Sequence, residues 1–435
     1  MMPPRASMGR APSIALPLRY LLAAGAAFVL AALGVPWLAS ELAGHYYHPR
    51  ILALTHAVAL GWITMTIMGA TYQLVPIVLE RPLWSERLAR WQFVVLAGGI
   101  VGMVAHFSVG HSSGLLWAAG LVSLGVAAHV VNVGLSLRGC GRWTFTARLM
   151  GLALAGLALT ALFGATLAAS RLWPILGGDR LALVQAHFHL ALFGWVAPMV
   201  LGVAARLYPM FLLAREPEGW PGHLQLSGLA VGVPAVVAGL IAWPVLLPVG
   251  AAAIAAALAS HMAWVAGMVW NRKRPTLDWG LRLALSGTIC LVPGVLTGLA
   301  LAGGLLAGSR AALAYAVLAL GGWISLTIAG MMLKIVPFLV WQQVYAPRVG
   351  RAPVPTLGQL SSPTSEAAAS VLLVGGTLAL AAAVAAGDPA WIRAAGVVLA
   401  LGALAFGITL ARALRHLGAS RDREPAVAAM RAHPR

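Results

Sequence analysis

Acidic residues are scarce: 11 Asp and Glu stand against 29 Lys and Arg in 435 residues, and charged residues make up only 9% of the chain. Soluble domains carry roughly a quarter charged residues, so a soluble fold is excluded. Cysteine is scarcer still. Cys140 falls in a polar loop and Cys290 in an apolar run, which excludes a disulfide framework and leaves neither thiol as a metal centre by itself. What the chain has instead is hydrophobic length, with 60% hydrophobic residues and a mean hydropathy of +0.88. Twelve apolar runs, near 14–40, 50–79, 91–110, 114–137, 148–170, 181–213, 223–243, 247–271, 281–303, 311–341, 367–386 and 392–414, are each long enough to cross a bilayer. The first has a basic lead-in, but it is too long for a signal-peptide core and is read as a membrane helix.

Arginine sets the orientation. Arg5, Arg10 and Arg19 precede the first span, Arg81, Arg87 and Arg90 follow the second, and Arg138, Arg142 and Arg148 follow the fourth. Arg215, Arg272, Lys273, Arg274, Arg282, Arg348 and Arg351 continue that side, whereas the opposite loops hold only Arg50, Arg171, Arg180, Arg310 and Arg393. The positive-inside rule then places both termini in the cytoplasm of a bacterial-type inner membrane. The formal charge of +18 reflects topology and attraction to anionic lipid, so the expected partner is the lipid bilayer, with no need for nucleic acid. Residues 346–366 read as a Pro/Ser-rich cytoplasmic linker and 419–435 as a disordered tail.

The chain repeats itself. "THAVALGWITMTIMGATYQLVP" (55–76), "FHLALFGWVAPMVLGVAARLYP" (188–209) and "AVLALGGWISLTIAGMMLKIVP" (316–337) align without a gap. Each has a Gly before the Trp, a second Gly seven residues after it, and a Pro seven beyond that. The tryptophans are Trp62, Trp195 and Trp323, so the copies recur about every four helices. The predicted fold is an all-α polytopic membrane protein: one membrane domain over 1–418, its twelve transmembrane helices in a pseudo-threefold arrangement of four-helix repeats at 14–137, 148–271 and 281–414. The glycines and tryptophans read as packing positions, because small residues let helices approach closely in lipid.

The position six before the Trp reads differently. It is His56, then His189, then Val317. Ionisable groups at membrane depth are costly and face a bundle interior or a water-filled cavity, and imidazole is a ligand for haem iron, copper or zinc. His56 and His189 are therefore candidate ligands, with a structural hydrogen bond as the alternative. His187 lies about 200° from His189 around the helix, so the two cannot serve one small site. It either ligates on the other face or bonds a neighbouring helix. His129 and His261 correspond in the first two copies and are either further metal ligands or core histidines. His45, His48, His106 and His111 read as interfacial, and Gln73, Arg206 and Lys334, eleven after each Trp, as snorkelling residues. The eleven acids all fall in loops or at helix ends, which disfavours a proton relay through membrane carboxylates.

In "THAVALGW" and "AHFHLALFGW", and in its twelve-helix layout, the chain resembles subunit I of the haem-copper oxidase superfamily, closest to the cbb3-type cytochrome c oxidase and nitric oxide reductase subunits. The resemblance implies haem b and a copper or iron partner, an electron donor of the cytochrome c or quinol type, partner subunits, and respiratory oxygen or nitric oxide chemistry. By position it makes His56 a low-spin haem ligand and His187 or His189 the metal ligand of the sixth span. The match breaks at the tenth span, where "LAYAVLALGGW" has no histidine, and at the seventh, which lacks the family's His-His pair. The expected function is haem or metal binding on an oxidase-like scaffold with an incomplete bimetallic site. Alternatives are a non-enzymatic haem or copper protein linked to nitric oxide tolerance, which would carry a His-Glu-Met run absent here, and a small-molecule transporter.

The orientation is testable by reporter fusion. Alkaline phosphatase fused after Gly44 should be active and green fluorescent protein dark, with the reverse after Gly141; the opposite pattern would invert the topology.

Overall fold

The structure, a computed structural model, describes residues 13–78, 82–141, 143–215 and 219–418. Arg5, Arg10, Arg81, Arg142, Glu80, Glu216, Glu218 and the 419–435 tail lie outside the described residues. Among those described, there are no strands, and twelve helices are long and apolar enough to span a membrane. They are α1 (Ala15–Leu42), α2 (Pro49–Ile77), α3 (Glu86–Val109), α4 (Ser112–Arg138), α5 (Phe145–Ala169) and α6 (Arg180–Leu212). The second half comprises α7 (Trp220–Ile241), α8 (Leu246–Trp270), α9 (Trp279–Ala302), α10 (Ser309–Val344), α11 (Pro363–Ala386) and α12 (Pro389–Gly418). The chain is a multi-pass membrane protein.

Local chemistry fixes the ends. The side chains of Ser85, Thr144, Asp179 and Asp278 accept from the backbone N–H groups of Leu88, Ala147, Leu181 and Leu281, capping α3, α5, α6 and α9. Gly110 and Gly387 close α3 and α11 at φ of 69° and 74°, where a side chain would be strained. The largest departure from the sequence reading is at α3, which starts at Glu86 rather than 91 because its first turn is polar and capped by Ser85.

Within each repeat, the first helix meets the motif helix at glycine. A Cβ on Gly61 would lie 3.1 Å from the Cβ of Ala27, and one on Gly322 would lie 3.0 Å from the Cβ of Cys290. A Cβ on Gly156 would lie 2.0 Å from the carbonyl oxygen of Gly194. The second motif glycines repeat the arrangement one level further along: Gly69 meets Tyr20, Gly202 meets Leu149 and Gly330 meets Ala284. The packing role expected for the motif glycines holds at all six positions.

The motif's backbone departs from a regular α-helix. Ala57–Thr64, Leu190–Val196 and Val317–Ser325 are all π-helical, each interrupting a long α-helix. Such segments are rare and concentrate at functional sites. Trp62, Trp195 and Trp323 are all buried beside them. The Nε1–H of Trp62 donates to Ser325 Oγ at 3.0 Å, and that of Trp195 to Thr64 Oγ1 at 3.1 Å. Both hydroxyls sit two residues beyond a motif Trp, so α2 is tied to α10 and α6 to α2. At the corresponding position on α6, Ala197 has no hydroxyl.

The 346–366 linker is folded. Trp341 Nε1–H donates to the carbonyl of Pro355 at 2.7 Å, and Leu360 is buried with Val340 and Val344 against Leu414 and Leu417.

Gly156→Ala should destabilise the fold by about 1–3 kcal/mol through overpacking against Gly194. Thermal unfolding in detergent would register this as a lower Tm, with Gly134→Ala, where an added Cβ meets nothing within 4 Å, as the unchanged control.

Candidate functional site

A cavity of about 760 Å³ is lined by residues of α2 through α10, mainly aliphatic side chains. Its depth holds His56, His187, His189 and Tyr315. Its mouth, formed by the α1–α2 and α5–α6 connections, holds His45, Tyr46, Tyr47, Arg171 and Arg180. No carboxylate lines it. The structure therefore brings together all three histidines named as cofactor ligands.

His56 and His189 are held alike. Their Nδ1 atoms lie 2.7 Å from the carbonyl of Leu52 and 2.8 Å from that of Gln185, each four residues back in its own helix. A carbonyl can only accept, so Nδ1 carries the proton and Nε2 presents a lone pair, the tautomer a metal ligand needs. The π segments begin at the very next residue in both helices. Each imidazole stacks on an aromatic ring: His56 on Phe107 at 4.7 Å and His189 on Tyr315 at 5.8 Å.

His187 is held by shape alone. Its ring lies across Gly164, where an added Cβ would come within 2.8 Å of Cε1, and Phe163 meets it edge-on at 6.0 Å. Its Nδ1 is buried without a hydrogen-bond partner. His187 and His189 line the same cavity.

Cations mark the mouth. The Arg171 guanidinium lies 5.8 Å above the Tyr47 ring and 5.4 Å above Phe107, within electrostatic reach of His56. Arg180 donates to the carbonyl of Ser170 at 2.9 Å. Among the described residues, neither is paired with a carboxylate. Tyr46 accepts from Gln185 Nε2 at 2.8 Å, and burial holds its phenol pKa above the ordinary range.

The other candidate metal ligands, His129 and His261, lie outside the cavity. His129 is completely buried, with Nδ1 3.1 Å from the Tyr72 hydroxyl. That hydroxyl donates to Gln92 Oε1, which also accepts from Tyr20, so His129 ends a polar chain in the first repeat's core. His261 is buried on α8 with its Nδ1 unpartnered. Among the described residues, no three His, Cys, Asp or Glu side chains gather as a metal site. Neither Cys140 nor Cys290 is in a disulfide. Lys334 ends in an ion pair: its Nζ pairs with Asp278, which also holds Arg274 at 3.0 Å.

Sequence reasoning missed Tyr315 and the π segments. Tyr315 had a signal, since it stands eight residues before Trp323, as His187 does before Trp195. The π segments had none, because hydropathy periodicity does not register one added residue per turn.

No protein-family model and no curated protein matches the chain.

His129→Leu should lower stability by about 1–3 kcal/mol by leaving the Tyr72 oxygen without its imidazole partner. Thermal unfolding in detergent would register that loss; an unchanged Tm would show that the polar chain contributes nothing.

Proposed function

We propose that this protein is a haem-binding membrane protein whose cofactor occupies the cavity and is ligated from among His56, His187 and His189. The observation that carries this reading is the shared setting of His56 and His189, two imidazoles with backbone-fixed Nδ1 protons and lone pairs toward one apolar cavity.

Three further properties fit haem b. The volume lies within the range of about 300–1,000 Å³ typical of cofactor pockets. The aliphatic lining matches a macrocycle's faces and keeps the surrounding dielectric low, which tunes potential. Arg171 and Arg180, at the mouth and without carboxylate partners among the described residues, offer charge to an anionic edge. A haem bound here would supply one-electron redox chemistry. The chain's own residues would orient it, exclude water from its faces and hold the imidazole tautomers. A copper ion beside it is not supported by the donor set, because the described residues bring no third ligand to any histidine pair. The reading is therefore electron transfer in a bacterial-type inner membrane with both termini cytoplasmic. The donor would be a cytochrome c-type protein or a quinol, engaged with partner subunits.

A pyridine haemochrome assay with metal analysis on the purified protein tests this. Haem b is expected in the wild type and none in the variant combining His56→Ala, His187→Ala and His189→Ala. A wild type with no Soret band would overturn the function, and full haem in the triple variant would overturn the site.

A further inference from the structure

The three motif copies create three corresponding junctions, and their contents differ. Each joins the residue six before one Trp to the residue eight before the next copy's Trp. Between α2 and α6 these are His56 and His187. Between α6 and α10 they are His189 and Tyr315. Between α10 and α2 they are Val317 and Leu54.

The first two pairs line the cavity, while the third pair does not. Val317 and Leu54 instead pack against one apolar cluster with Val35, Leu42, Ile51 and Leu380, so this junction is filled with side chains. The second junction is closed in another way. His189 and Tyr315 stack directly, with centroids 5.8 Å apart and planes 21° from parallel. Rings in contact leave no space for a macrocycle between them.

Only the first junction offers two imidazoles. His187 lies within electrostatic reach of His56, yet the two rings make no contact with each other among the described residues. His56 presents Nε2 with its tautomer fixed by Leu52. His187 makes no hydrogen bond at all among the described residues, although an unpaired imidazole at membrane depth is costly. Gly164 gives the His187 ring its room, since any side chain there would occupy the same space. Arg171 stands at the mouth of this same junction, within reach of His56.

We infer that one haem is bound at the α2–α6 junction with His56 and His187 as its two axial ligands, and that His189, whose junction partner is a phenol and not a second imidazole, is not a ligand to that iron. The inference rests on the haem-binding reading and sharpens it. It assigns a task to His187 and makes the site a six-coordinate, low-spin centre suited to electron transfer, with no open position for a substrate.

Electron paramagnetic resonance and absorption spectra of the purified protein and its variants test this pairing. The wild type should give a low-spin ferric signal. His56→Ala and His187→Ala should each lose it, becoming high-spin or haem-free, and added imidazole should restore it where haem is retained. His189→Ala should keep the wild-type spectrum. His187→Met, which keeps a ligating side chain, should remain low-spin with a raised reduction potential. A low-spin signal that survives His187→Ala and disappears in His189→Ala would overturn the pairing while leaving haem binding intact. A wild type without haem would overturn both.

Discussion

Helices in hydrocarbon gain nothing by hiding apolar surface from one another, so their association depends on how closely the backbones approach. In this chain that approach is concentrated where the first helix of each repeat crosses its motif helix. At the Gly156–Gly194 contact even one methyl group is excluded. The same motif places a Trp directly after the first glycine, and two of the three indoles reach hydroxyls on a neighbouring motif helix. Tight crossings outside and indole bonds inside hold α2, α6 and α10 in fixed register.

That register leaves three junctions for side chains to fill, and they are filled unequally. Leu54 and Val317 close one with apolar bulk. His189 and Tyr315 cover each other in the second. In the first, two imidazoles line a cavity beneath an arginine. One scaffold element thus serves as core, as lining and as a candidate ligand position, according to two residues in each copy. The π segments recur in all three copies, including the filled one, so they belong to the scaffold rather than to any single site.

Much of this was legible in the residues. Hydropathy located all twelve spans, because each run is long and its flanking loops are marked by Arg, Pro or Gly. The gapless repeat identified His56 and His189 as twins and Val317 as the position where the pattern lapses. The pairing of His187 with His56 was not legible, because it depends on which repeat faces which. Tyr315 was missed for the same reason, although it stands at the same distance from its Trp as His187 does. The Asp278 cluster was missed because Lys334 sits at a helix end, where snorkelling and ion pairing have the same sequence signature.

At the positions where the resemblance to oxidase subunits would call for histidines on the tenth span, α10 contributes a phenol and a valine to the junctions. A fold alone does not fix chemistry, so function has to be argued from the junctions themselves. The most direct measurement is a cryo-electron microscopy map of the purified protein in lipid nanodiscs. The account predicts planar density between the His56 and His187 rings, continuous with both imidazoles; continuous lipid density there, or planar density bound to His189 instead, would contradict it.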